Sequence, residues 1–116
     1  MKLHRVKQLL NAVVLSGESH LDDEVQSGFG CDLMSDVLCF RTEDAILLTG
    51  LINRQVLNTV DIANMNSIIF VRDKIPSDEV IKMAQERDLL VMSTKYILFE
   101  ACGILYANGL RGAYLK

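Results

Sequence analysis

The chain predicts an α/β fold: a small parallel-sheet βαβαβ core with helices on both sides. Three apolar runs, residues 45–49, 67–71 and 89–93, recur about 22 residues apart. Unbroken apolar runs of that length are what strands covered on both faces look like. The segments between them carry helical stripes, Val56, Leu57, Val60 and Ala63 in one and Val80, Ile81 and Ala84 in the other. Strand, helix, strand at this spacing is a right-handed crossover unit.

The first third is less regular. Leu3, Val6, Leu9 and Leu10 mark a short helix ending near Asn11, and residues 12–15 a strand closed by Ser16-Gly17. The acidic loop Asp22-Asp23-Glu24 leads into a strand over 25–29. A helix is predicted over 31–39, with Leu33, Met34, Val37 and Leu38 as its apolar face. Further on, Asn53 stands where it can cap the helix after the first apolar run. Ser77 can cap the next, following Pro76 and preceding Asp78 and Glu79, whose carboxylates suit the positive end of a helix dipole. Ser93 or Thr94 is expected to cap a last helix from Tyr96 to about Ala107, stopped by Asn108-Gly109.

That last helix has one charge, Glu100, and apolar residues in every direction around its axis. A helix on the outside of one small sheet needs a polar face. Apolar all round, it is expected to be covered twice, by its own sheet and by a second copy of the chain. Ile97, Phe99, Ile104 and Leu105 are the expected dimer contacts.

Composition narrows the function. With 116 residues, half of them hydrophobic, the chain has the size of one domain spanning 1–116. Charged residues are 23%, which excludes a disordered tail, and the net charge of −3 argues against a nucleic-acid partner. Three cysteines, odd in number and in no CxxC pair, fit neither a disulfide framework nor a zinc ribbon, so a cytoplasmic setting is expected. No signal peptide is read in the N-terminal residues. The 96–107 stretch falls short of the roughly 20 apolar residues a membrane span requires.

The parallel strands end at three loops on one edge, 49–53, 72–77 and 93–96. In open α/β sheets, ligands bind outside the carboxyl ends of the strands. Thr49, Gly50, Asn53, Arg72, Ser93, Thr94 and Lys95 lie there, with Lys74 beside them. Hydroxyls, helix N-termini and cations together suit an anion such as a phosphate. The alternative is that Asn53 and Thr94 only cap helices and that the cations are solvated. Gly28-Phe29-Gly30 has neither the GxGxxG nor the P-loop spacing, and is either a backbone approach for a phosphate or a tight strand-to-helix turn. Cys31 near a helix start is a candidate nucleophile, but it needs a base, and neither His4 nor His20 lies in a segment with reason to approach it. Cys39 and Cys102 fall on apolar stripes. His20 with Asp22, Asp23 and Glu24 lacks metal-site spacing and reads as a solvated acidic loop, so no metal and no cofactor are expected.

Several stretches, taken in order, resemble the DRTGG domain. They are Gly30-Cys31-Asp32-Leu33-Met34-Ser35-Asp36-Val37-Leu38, then Leu47-Leu48-Thr49-Gly50-Leu51 with Asn53, then Val71-Arg72-Asp73-Lys74-Ile75-Pro76, and finally Ser93-Thr94-Lys95-Tyr96 with Phe99-Glu100. The resemblance covers nearly the whole chain. The Asp-Arg-Thr-Gly-Gly string itself is absent, and Asp73-Lys74 stands where a glycine-rich turn is expected. The resemblance implies a small α/β regulatory domain, related in fold to the N-terminal domain of HPr kinase. It also implies a domain found alone or joined to CBS domains, pyrophosphatases and phosphotransacetylases, assisting dimerisation and regulation rather than catalysis. The expected function is therefore a non-catalytic, ligand-sensing homodimer. It would bind a nucleotide or small phosphorylated ligand, or dock on a partner metabolic enzyme. The alternative is a small enzyme using the strand-end loops or Cys31.

Overall fold

The computed structural model describes residues 1–115. Its elements are α1 (Leu3–Leu10), β1 (Val13–Ser16), a 3-10 turn (Glu18–His20), β2 (Ser27–Gly30), α2 (Met34–Val37), β3 (Phe40–Arg41) and β4 (Ala45–Thr49). They continue as α3 (Arg54–Ile62), β5 (Ser67–Phe70), α4 (Asp78–Glu86), β6 (Leu90–Ser93), α5 (Leu98–Ala107), β7 (Arg111–Gly112) and β8 (Tyr114–Leu115). Six strands form one sheet in the order β1-β6-β5-β4-β2-β7. All neighbours run parallel except β1, which lies antiparallel on the edge against β6. β3 and β8 form a separate two-stranded ribbon.

The apolar runs are unbroken because each strand feeds two cores. Ile46, Leu48, Ile69, Leu90 and Met92 point to one face, where α1 and α5 cover them with Leu3, Val6, Leu10, Ala101 and Leu105. Leu47, Ile68, Phe70 and Val91 point to the other, against Met34 and Val37 of α2, Val56, Leu57 and Val60 of α3, and Val80 and Ala84 of α4. Side chains alternate along a strand, so a sheet sandwiched between helix layers needs an apolar residue at every position. Asn53 and Ser77 cap α3 and α4 as expected, each side-chain oxygen accepting from the third residue on, Val56 N–H and Val80 N–H, at 3.3 Å.

Some boundaries differ from the sequence reading. α2 is one turn rather than nine residues. Cys31 N–H still bonds Leu48 O in the manner of the ladder, and Asp32 turns toward β4, so the helix starts only at Met34. Leu33 and Leu38, expected on the buried face, are exposed, as is Cys39. The strand expected over 25–29 runs instead from Ser27 to Gly30. α5 starts at Leu98, not Tyr96, and has no side-chain cap. The expected caps are engaged elsewhere: Ser93 Oγ donates to Lys74 O at 2.9 Å and Thr94 Oγ1 to Leu10 O at 2.7 Å. Leu105, expected at a dimer face, is turned into the core and only 2% exposed. Ile104 packs half-buried against the same core. The outer face of α5 is formed by Phe99, 84% exposed, with Gly103 and Tyr106.

Candidate functional site

The carboxyl ends of β2, β4 and β5 meet at one corner. β2 ends at Gly30, and two residues later the Asp32 carboxylate reaches the end of β4. Its Oδ1 accepts from Thr49 Oγ1 at 2.9 Å and from Gly50 N–H at 2.8 Å. Thr49 Oγ1 in turn accepts from Leu51 N–H at 3.2 Å. The Arg72 guanidinium lies over Gly50: a Cβ there would stand 3.2 Å from its Nη2 and 3.5 Å from Asp32 Oδ2. The missing side chain of Gly50 thus lets a cation and a carboxylate oxygen each approach its bare backbone without pairing with each other.

The loop carrying Arg72 is held in a costly conformation. Arg72 and Asp73 are both left-handed, at φ 60° and 57°, which for non-glycine residues costs on the order of 1 kcal/mol each. Hydrogen bonds to the neighbouring loop maintain it, Arg72 N–H to Tyr96 O and Asp73 N–H to Thr94 O, both 2.8 Å. Ser93 Oγ closes the same seam on Lys74 O. The β5–α4 and β6–α5 loops are therefore tied together by three hydrogen bonds.

The expected site residues fall into three places. Thr49, Gly50 and Arg72 come together, with Asp32 added. The side chains of Asn53, Ser93 and Thr94 are already engaged, Asn53 as the cap of α3, Ser93 on the loop seam and Thr94 in tying β6 to the end of α1. Arg72 and Lys95 are exposed, and neither forms an ion pair among the described residues. Lys95 faces a cleft on the β1 side rather than the Gly50 corner. Asp32 escaped the sequence reading because its partners are 17 and 18 residues away. The available signal was an acid two residues beyond a Gly-ended strand on the same sheet edge.

The other candidates have structural uses. Gly30 lies beneath α5, where an added Cβ would stand 2.5 Å from Cys102 Sγ, and one on Gly28 would stand 3.2 Å from the Leu110 side chain. These glycines admit α5 and Leu110 to β2. The recess beside them, about 130 Å³, is mostly apolar. Cys31 Sγ is tied to Leu33, accepting from its N–H at 3.2 Å and donating to its C=O at 3.3 Å. Burial pushes the Cys102 thiol pKa up. His20 is held between Asp23 and Asp88, Nδ1 at 2.7 Å from one carboxylate and Nε2 at 2.9 Å from the other. The hydrogen bonds to Asp23 and then Asp88 raise its pKa above the ordinary 6.5. Among the described residues, no group of three or more His, Cys, Asp or Glu is placed to hold a metal ion, and no helix is long and apolar enough to cross a membrane.

No family model matches the chain, and no curated protein matches it. Among solved structures it is similar to the CBS and DRTGG domains of the regulatory region of Clostridium perfringens pyrophosphatase, in complex with the activator diadenosine tetraphosphate. The TM-score is 0.76 at 16% identity; the likeness covers 90% of this chain and 45% of that one. The chain therefore spans less than half of this neighbour, and what the two share is a CBS/DRTGG-like α/β fold.

Proposed function

We propose that the chain is a regulatory module of the DRTGG type that senses a nucleotide or small phosphorylated ligand, dimerises, and turns nothing over. The carrying observation is what the carboxyl edge leaves available. Two exposed cations, Arg72 and Lys95, stand on loops locked to each other, while the nearby hydroxyls and the Cys31 thiol are tied into structural hydrogen bonds. Such an edge can bind an anion, but it offers no activated nucleophile among the described residues. Asp32 Oδ2, at the same Gly50 corner, adds an acceptor that a bare phosphate does not need and a sugar or base does. The neighbour's activator, a dinucleoside polyphosphate, is of the same chemical class.

The outer face of α5 supports the dimer. Phe99 and Tyr106 are exposed there around Gly103, an apolar strip that the described residues leave largely uncovered.

The test is calorimetry with AMP, ATP and diadenosine tetraphosphate as probes. A charge-assisted contact contributes about 1.5–3 kcal/mol, so Arg72→Ala or Lys95→Ala should weaken binding roughly ten- to a hundredfold. Binding to none of the three, or their steady hydrolysis, refutes the reading. Sedimentation at micromolar concentration should give twice 13.0 kDa, and Phe99→Glu should halve it; a monomeric parent refutes the dimer.

A further inference from the structure

We infer that the cleft between the α1–β1 link and the β6–α5 loop is a nucleoside-phosphate subsite, with the base against Tyr96, the ribose diol on Asp73 and the phosphate on Lys95; this rests on the ligand-sensing reading above. The cleft measures about 560 Å³, and Asn11, Val13, Asp73, Ile75, Lys95 and Tyr96 line it. Ligand sites run from about 300 to 1,000 Å³, apolar walls with a few placed polar groups. A free phosphate or an amino acid would leave most of this one empty.

The apolar wall is assembled from three separate segments. Val13 of β1 is 63% exposed, Ile75 of the β5–α4 loop 58% and Tyr96 of the β6–α5 loop 37%. Large apolar side chains kept in water and converging on one recess suit a flat apolar group, and aromatic rings stack bases. The polar groups are of opposite sign. Asp73 and Lys95 share the cleft, yet no ion pair joins them. A carboxylate accepts from both hydroxyls of a ribose, as acids do in dinucleotide folds, and an ammonium is a point-charge partner for phosphate. An acyl chain would use the wall and neither charge; a nucleoside phosphate uses all three. Asp73 sits where it does because its backbone is held left-handed by its bond to Thr94 O, and residues maintained in such strain cluster at ligand sites.

Calorimetry with AMP and with its 2′,3′-dideoxy analogue tests this, on variants first shown to melt near the parent temperature. Tyr96→Ala should weaken AMP about tenfold, and Tyr96→Phe, which keeps the ring, should not. Asp73→Asn, a residue the left-handed backbone tolerates, should shrink the preference for AMP over the dideoxy compound. If AMP binds and Arg72→Ala weakens it while Tyr96→Ala and Asp73→Asn do not, the cleft assignment is overturned and the sensing reading stands. If neither AMP, ATP nor diadenosine tetraphosphate binds the parent, both fall. Should Tyr96→Ala unfold, Ile75→Ser on the same wall takes its place, with the same tenfold loss expected.

Discussion

Replacing Gly30 by alanine places one methyl group at the close crossing of β2 and α5. The new Cβ would lie 2.5 Å from Cys102 Sγ and 3.4 Å from Leu98 Cδ1, whereas non-bonded atoms rest near 3.5–4.0 Å. About 1 Å of overlap must be relieved by turning the thiol or lifting α5 off β2. Overpacking of this kind costs about 1–3 kcal/mol. At roughly 4 °C per kcal/mol for a domain of this size, the melting temperature should fall by about 4–12 °C. The second half of the cycle is Cys102→Ala, which vacates the space the methyl needs. If the overlap is the cause, Gly30→Ala should cost little in that background, a coupling of about 1–2 kcal/mol in urea melts. Additive effects within about 0.5 kcal/mol would refute the packing account. A Gly30→Ala protein that melts like the parent but loses nucleotide binding would refute it more sharply, by returning the Gly28-Phe29-Gly30 turn to the role of a phosphate cradle.

Thr94→Val removes the buried hydroxyl that donates to Leu10 O and should cost about 1–3 kcal/mol in stability while changing AMP affinity by less than about threefold; calorimetry and urea melts on the same samples separate a clamp from a ligand contact. His20 predicts a pH dependence of known sign. Its pKa is raised in the folded chain by the hydrogen bonds to Asp23 and Asp88, so its stabilising contribution is present below about pH 6.5, the unfolded value, and is lost as pH rises through the folded one. The stability gap between the parent and His20→Asn should therefore be wider at pH 5.5 than at pH 8.5; an equal or reversed gap refutes the linkage.

The elements legible in the sequence are those whose signals are local. β4 follows its apolar run residue for residue, and Asn53 and Ser77 announce α3 and α4 because a cap and its helix are adjacent in the chain. What the sequence conceals is long-range. β3, β7 and β8 are two residues each, too short for any period, and exist only through their partners. Arg72 and Asp73 give no sign of a left-handed turn, which depends on acceptors at Tyr96 and Thr94. That Thr49, Gly50 and Arg72 gather on the carboxyl edge was legible from the strand ends. Which of its hydroxyls remain available was not, because Thr49, Ser93 and Thr94 are each claimed by a group at least 17 residues distant.

The last helix shows both sides of this limit. Its composition leads one to expect a cover beyond its own sheet, because one charge is little to solvate the outward side of ten residues. Composition cannot say which side that is, since an apolar residue fits either. The structure breaks the tie by packing: Ala101 and Leu105 go inward, Ile104 and Cys102 lie along the flank, and Phe99 and Tyr106 are left outside. Tyr106 finds a partial answer within the chain, with the Arg111 guanidinium 4.5 Å above its ring. Phe99 finds none among the described residues. A phenyl ring burying on the order of 150–250 Å² is a strong anchor for a partner and a liability without one. For that reason Phe99→Glu, rather than a substitution at Leu105 or Ile104, separates loss of assembly from loss of fold.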